Sequence, residues 1–187
     1  MLVECGYVRA QTPEGGEYSF APSFARIAAL GHPHEIVSLN AGLYGPQAAE
    51  VSSYILAVLC EQADPLPLLG WTELDPADSK KRIRYPGAMP EAEQLLIARH
   101  LMQHGIAGKS RPGKNDGGSY SVTFDAAEYV AVARVHLGMN QADAEALSMT
   151  EFHRLLEVKF PDATQDEPPD SAQYEQAMEM IREKNGG

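Results

Sequence analysis

The sequence predicts a mainly α, α+β protein: a helical bundle with an N-terminal β-hairpin and a long proline-rich connecting arm. Three observations predict it. Apolar residues recur at helical spacing along most of the 187 residues, β-rich runs occur only near the start, and five prolines crowd residues 64–90. An apolar content of 44% is enough for one good core, so residues 1–160 read as one helical domain with a helical module at 125–160 inside it, followed by a linker at 161–169 and a C-terminal helix at 170–187.

Taken in order, residues 2–10 and 17–21 are β-rich and flank Thr12-Pro13-Glu14-Gly15-Gly16, whose proline and glycines favour a reversal. Pro22-Ser23 opens a helix ending at Gly31, and helices over 34–44 and 47–63 are separated by Gly45-Pro46. Residues 64–90, with Trp71 and the Lys80-Lys81-Arg82 cluster, resist regular structure and read as an arm or flap. Pro90 suits a first helical position, and Glu91, Glu93, Leu95, Leu96, Ala98, Leu101 and Met102 give an acidic first turn and an apolar stripe that ends at Gly105. Residues 108–119 are glycine-rich and polar, a loop by composition.

Beyond that loop, Asp125 with Glu128 spells a capping box and Phe124 with Tyr129 a hydrophobic staple, for a helix running to Gly138. Asn140 caps a short helix through Leu147, and Ser148 with Glu151 spells a second capping box before Phe152, Leu155, Leu156 and Phe160. In the final helix, 171–184, Tyr174, Ala177, Met178 and Ile181 form a stripe that needs a surface to lie on, because an isolated helix of about 14 residues is marginal in water.

Charge and chemistry narrow the function. A net charge of -11 repels phosphate backbones and anionic lipid, so neither nucleic acid nor a membrane is expected as a partner. Residues 80–114 depart from this, with eight basic residues against Glu91 and Glu93, and self-compensation by the acidic helices is the expected use of that excess. Cys5 and Cys60 belong to no metal-binding spacing and read as small buried apolar residues in a reducing compartment. The N-terminal residues lack a basic, apolar leader pattern, and no stretch approaches the roughly 20 apolar residues that span a bilayer, so a cytoplasmic protein is expected.

Gly105-Ile106-Ala107-Gly108-Lys109-Ser110 has two residues between its glycines where a phosphate loop needs four, and it follows a helix rather than a strand. His100 and His104 have the i, i+4 spacing of two zinc ligands, but no glutamate follows His100, and a polar edge on an amphipathic helix is the expected reading. No GxSxG elbow is present, and the apolar surroundings of both cysteines should raise their thiol pKa values. Asp162, Asp166, Glu167 and Asp170 lie in a composition that predicts exposure. The chain is expected to be no enzyme and to hold no cofactor or metal.

The stretch Glu128-Tyr-Val-Ala-Val-Ala-Arg-Val-His-Leu-Gly-Met139, followed by Leu147-Ser-Met-Thr-Glu-Phe152, resembles the helical module of tail assembly chaperones from long-tailed phages. The likeness extends to a family of siphophage proteins of otherwise undefined function, through Glu4-Cys5-Gly6, Pro22-Ser23-Phe24, Glu35-Ile36-Val37, Gly45-Pro46, Cys60, Leu69-Gly70-Trp71, Pro86-Gly87, Met89-Pro90 and the run from Ala98 to Gly105. This resemblance implies a non-enzymatic protein of the host cytoplasm, absent from the mature virion, that binds the tape-measure protein and the tail tube protein; self-association is compatible with it. The expected partner-binding residues are Tyr129, Val132, His136, Met139, Phe152, Leu156, Tyr174, Met178 and Ile181. Met89, Met102, Met149 and Met180 would add adaptable contacts. The alternative is a structural minor tail or connector protein that uses its N-terminal hairpin for sheet addition. Glu183-Lys184-Asn185 can be encoded by a slippery heptamer, as in chaperones made in short and frameshifted long forms.

Overall fold

A computed structural model describes residues 3–108 and 123–161. The expected linker and final helix, with Tyr174, Met178 and Ile181, lie outside the described residues, as does most of the glycine-rich loop. The fold is α+β and mainly helical, with two small antiparallel hairpins. The chain divides into two units, Met1–His153 and Arg154–Gly187.

The N-terminal hairpin pairs β1 (Val8–Gln11) with β2 (Glu17–Phe20), joining Val8 to Phe20 and Gln11 to Glu17. The expected strand over 2–10 starts late, because Val3–Cys5 is a 3-10 turn and Gly6 adopts φ 95. A Cβ on Gly6 would stand 2.3 Å from His104 Cβ, so the chain bends where only glycine passes. Beyond β2, Ser23 caps α1 (Phe24–Ala28) by accepting from Arg26 N at 3.4 Å. Next come α2 (Pro33–Gly42) and α3 (Ala48–Leu59). Glu35 Oε2 accepts from His32 N at 2.7 Å at the start of α2. The helix expected to reach residue 63 stops at Leu59, since Cys60 turns extended and bridges Phe20 while Glu61 N donates to Ser19 O at 2.8 Å.

Residues 64–90 are not an open arm. Pro65 and Pro67 sit at the start of α4 (Leu66–Leu69), and a second hairpin joins β3 (Gly70–Asp75) to β4 (Asp78–Pro86), pairing Trp71 with Tyr85 and Leu74 with Arg82. The prolines fall at the edges of these elements, at Pro76 in the turn and Pro86 at the strand end, where no ladder donor is missed. Gly70 has φ 76, and a Cβ there would lie 2.3 Å from Tyr85 O and 2.5 Å from Gly87 N. Two bare backbones can therefore meet at the base of the hairpin.

Helix α5 (Glu91–Met102) begins one residue later than expected, with Pro90 as its cap at ψ 145 and its carbonyl accepting from Glu93 N and Gln94 N. Its buried face is Gln94, Ala98, Leu101 and Met102; the expected core residue Leu96 points to solvent, 69% exposed. Instead of ending at Gly105, the helix widens into a π-helical turn over Gln103–Ala107, closed by Gly108 N donating to Gln103 O at 2.9 Å. Helices α3 and α5 lie along one another, and Ile55, Leu56, Leu59, Leu101 and Met102 are fully buried with Phe20, Phe24, Ile27, Ile36 and Leu43. Each such side chain contributes about 1.5–3 kcal/mol of transfer free energy.

The last elements are α6 (Ala126–His136), α7 (Gln141–Ala146) and α8 (Met149–Lys159). Asp125 accepts from Ala127 N at 3.0 Å, a cap on the second helical residue where a box with Glu128 was expected. The other two caps form as the sequence spells them: Asn140 Oδ1 accepts from Asp143 N at 2.9 Å, Ser148 Oγ from Glu151 N at 3.2 Å, and Glu151 Oε2 from Ser148 N at 2.9 Å. The staple forms too, with the Phe124 and Tyr129 rings 5.2 Å apart. Among the described residues, no helix is long and apolar enough to cross a membrane.

Candidate partner-binding groove

Helix α6 carries two faces that the sequence does not distinguish. One bears Tyr129, which meets Phe24 at 5.7 Å, Phe124 at 5.2 Å and Phe152 edge-on at 5.6 Å; Phe24 and Phe152 close the cluster at 5.8 Å. This aromatic core fixes α1, α6 and the start of α8, and the backbone ties Phe24 N to Leu147 O at 2.8 Å. Burial raises the Tyr129 phenol above its ordinary pKa, with Glu128 adding to the rise.

The neighbouring face of α6 carries Ala127, Val130, Ala131 and Arg134, spaced i, i+3, i+4, i+7. Opposite lie Ala25 and Ala28 of α1, with Gln141 and Glu145 of α7 at the rim. Because half of these side chains stop at Cβ, the helices leave between them a groove of about 460 Å³, floored by Phe24 and Ala126. Gln141 donates to Glu145 Oε1 at 2.7 Å along the rim. The groove has an apolar floor and charged edges, the arrangement that accepts an apolar helix face or an extended apolar segment.

The expected partner-binding residues divide around this feature. Phe152 is 3% exposed and belongs to the aromatic core, so it offers no surface in this fold, a correction that follows from its packing against Phe24 and Tyr129. Tyr129 joins the same cluster, half-buried. Val132 and Met139 are half-buried and His136 is exposed, and none of the three lines the groove. In the second unit, Leu156 is half-buried while Leu155, Val158 and Phe160 are 39%, 81% and 41% exposed. Sequence reasoning looked for large apolar residues; the groove is lined largely by small ones, at the helical spacing of Ala127, Val130 and Ala131.

The histidine pair is placed differently from the polar edge expected of it. The two rings lie 4.5 Å apart, and His104, 8% exposed, shares a 2.8 Å hydrogen bond through Nδ1 with Thr150 Oγ1. The π-helical turn carries His104 inward with the buried face of α5. His100 Nε2 is buried without a hydrogen-bond partner, and burial lowers the pKa of that ring. Among the described residues, no three His, Cys, Asp or Glu side chains gather as a metal ion would require. Cys5 and Cys60 are buried and unbridged, and burial pushes the Cys60 thiol up despite the nearby Arg26 guanidinium. The Tyr7 hydroxyl donates to Glu151 Oε2 and to Ala146 O, both at 3.1 Å, and burial followed by the Glu151 charge raises its pKa.

Fold and groove together define a small, mainly helical α+β protein with an apolar trough between capped helices. The chain belongs to DUF6246, a family of unknown function, whose profile matches residues 38–176, most of the chain. The match takes in the second hairpin and the α6 and α7 walls of the groove, while α1 precedes it. No curated protein and no solved structure matches this chain.

Proposed function

We propose that this chain is a tail assembly chaperone of a long-tailed phage, a binding protein rather than a catalyst. It holds a helical stretch of the tape-measure protein, with the tail tube protein as second partner, in the host cytoplasm, and it leaves before the virion is complete. The observation that carries this reading is the alanine-lined groove of α1, α6 and α7, two of whose walls come from the helical module that resembles such chaperones. A tape measure is a long helix with apolar faces, and a trough of small residues lets a helix backbone approach closely, with Arg134 and Glu145 at the edges to orient it. The net charge of -11 suits a protein that must keep a sticky client in solution.

Co-expression with the tape-measure protein tests the proposal. The expected result is a soluble complex with the native chain, and loss of both complex and client solubility with Ala131→Glu, which places a charge in the groove at an exposed position that leaves the core intact. A client equally soluble with or without the chain, and no recovered complex, overturns it. Mass spectrometry of purified virions separates this reading from a minor tail or connector component, since the chaperone is expected to be absent from finished particles.

A further inference from the structure

The groove between α1, α6 and α7 restricts its occupant by size and shape. Its walls carry Ala25 and Ala28 of α1 and Ala127 and Ala131 of α6, exposed alanines whose side chains end at Cβ. Phe24 and Ala126, both buried, close the floor, so an incoming backbone cannot sink far enough to fill the space itself. A hole of about 150 Å³ takes a benzene ring, so a groove of about 460 Å³ has room for about three side chains the size of a leucine or a ring. Along α6 the lining runs from Ala127 to Arg134, about 10 Å at ~1.5 Å per residue. Over that length an extended segment turns only about two side chains to one face, at intervals of ~6.6 Å, whereas a helix turns three, at i, i+3 or i+4, and i+7. The rim restricts charge as well. Arg134 on α6 and Glu145 on α7 carry opposite signs, and among the described residues they form no ion pair with one another. A flank that carries both signs complements this rim, and a uniformly acidic or basic one does not.

We propose that Ala28, Ala127 and Ala131 set the size specificity of the groove: the client helix presents large apolar side chains at i, i+3 or i+4, and i+7, with these alanines as the holes that receive them, between polar flanks carrying both charges. This rests on the proposed chaperone function and adds what the client must display there. A helix striped with alanine leaves the space above Phe24 unfilled, and a lining without partner atoms forfeits its dispersion contacts. Small residues on the wall therefore select large ones on the client.

Two capped peptides of equal length and charge, titrated into the full chain and followed by calorimetry, test the proposal. Both are held helical by a lactam on the polar face; one carries leucine at i, i+4 and i+7, and the other alanine. The expected result is saturable binding of the leucine peptide, at least about tenfold tighter than the alanine peptide, since a single methylene in an apolar site already discriminates by about tenfold or more. Ala131→Leu, at an exposed position, fills its own hole. It is expected to weaken the leucine peptide about tenfold, with no comparable loss for the alanine peptide and an unchanged circular dichroism. Equal binding of the two peptides, tighter binding of the alanine peptide, or no saturable binding of either overturns the proposal. So does an Ala131→Leu chain that binds the leucine peptide as the native chain does. The peptide comparison on the native chain decides the matter even if the variant does not fold. A chain that prefers the leucine peptide yet fails to keep the tape-measure protein in solution removes the chaperone role and leaves the size specificity standing; a soluble tape-measure complex without any preference between the peptides does the reverse.

Discussion

Residues 123–153 and residues 64–90 are both ordered pieces of the same molecule, yet they are held by different physics. In the first, the information is local: Asn140, Ser148 and Glu151 satisfy backbone donors within three residues of themselves, and Phe124 staples Tyr129 five residues on. In the second, it comes from a distance. The hairpin closes where Gly70 meets Gly87, and its base is tied down by Gln94 of α5, which is 1% exposed and donates through Nε2 to Leu69 O at 3.0 Å and Met89 O at 2.9 Å, while its Oε1 accepts from Ser53 at 2.7 Å. A buried amide so fully satisfied specifies one arrangement and tolerates few substitutes. Local rules thus build helices that need only an apolar neighbour, whereas the hairpin exists because other elements hold it.

The sharpest way to break this contrast is to remove one keystone from each region. Phe152→Ala deletes the ring that joins Phe24 to Tyr129 and leaves a cavity in the core; the expected cost is about 3–5 kcal/mol, lost cooperatively across the unit. Denaturant melts followed by Trp71 emission and by circular dichroism should move together. Gly70→Ala is expected to cost about 3 kcal/mol, through the strain of φ 76 and the collision of the new methyl with Tyr85 O. Here the two probes should separate: the Trp71–Tyr85 stack, with rings 4.9 Å apart, is lost while the helical signal persists. If Gly70→Ala instead lowers both signals in one transition, the hairpin is as much a part of the cooperative core as the aromatic cluster, and the distinction fails.

The same contrast decides what could be read from sequence. The α+β, mainly helical class, the N-terminal hairpin, the capping residues Asn140 and Ser148, and the burial of Cys5 and Cys60 all rest on patterns within a few residues or on composition, and all are present. The second hairpin was hidden because the five prolines of residues 64–90 read as breakers, although each falls at an element's edge, and because the pairing of Trp71 and Thr72 with Tyr85 and Arg84 across Asp75-Pro76 is a non-local fact. The groove was hidden for the opposite reason: alanine marks no face, and only the approach of Ala25 and Ala28 to Ala127 and Ala131 turns absent side chains into a shape. Phe152, expected among the contact residues, is buried because a large apolar residue on an amphipathic helix goes first to the core.

The smallest expected effect concerns the point where an N-terminal and a C-terminal element meet on α5. His100 Nε2 is buried without a partner, and burial lowers the pKa of the ring. The folded state therefore resists protonation that the unfolded chain accepts at about pH 6.5. Above that value the ring is neutral in both states and stability is complete; as pH falls through it, the unfolded chain binds the proton first and stability declines until the folded ring titrates too. His104, 4.5 Å away and bonded to Thr150, faces the same ring, and a charge on either imidazole opposes a charge on the other. His100→Gln removes the titrating group and should flatten the decline in denaturant midpoint between pH 7.5 and 5.5, with little change at pH 7.5. An unchanged slope would assign the acid sensitivity to other groups, and would mean that the widening of α5 at Gln103 leaves His100 wet enough to titrate as it does in the unfolded chain.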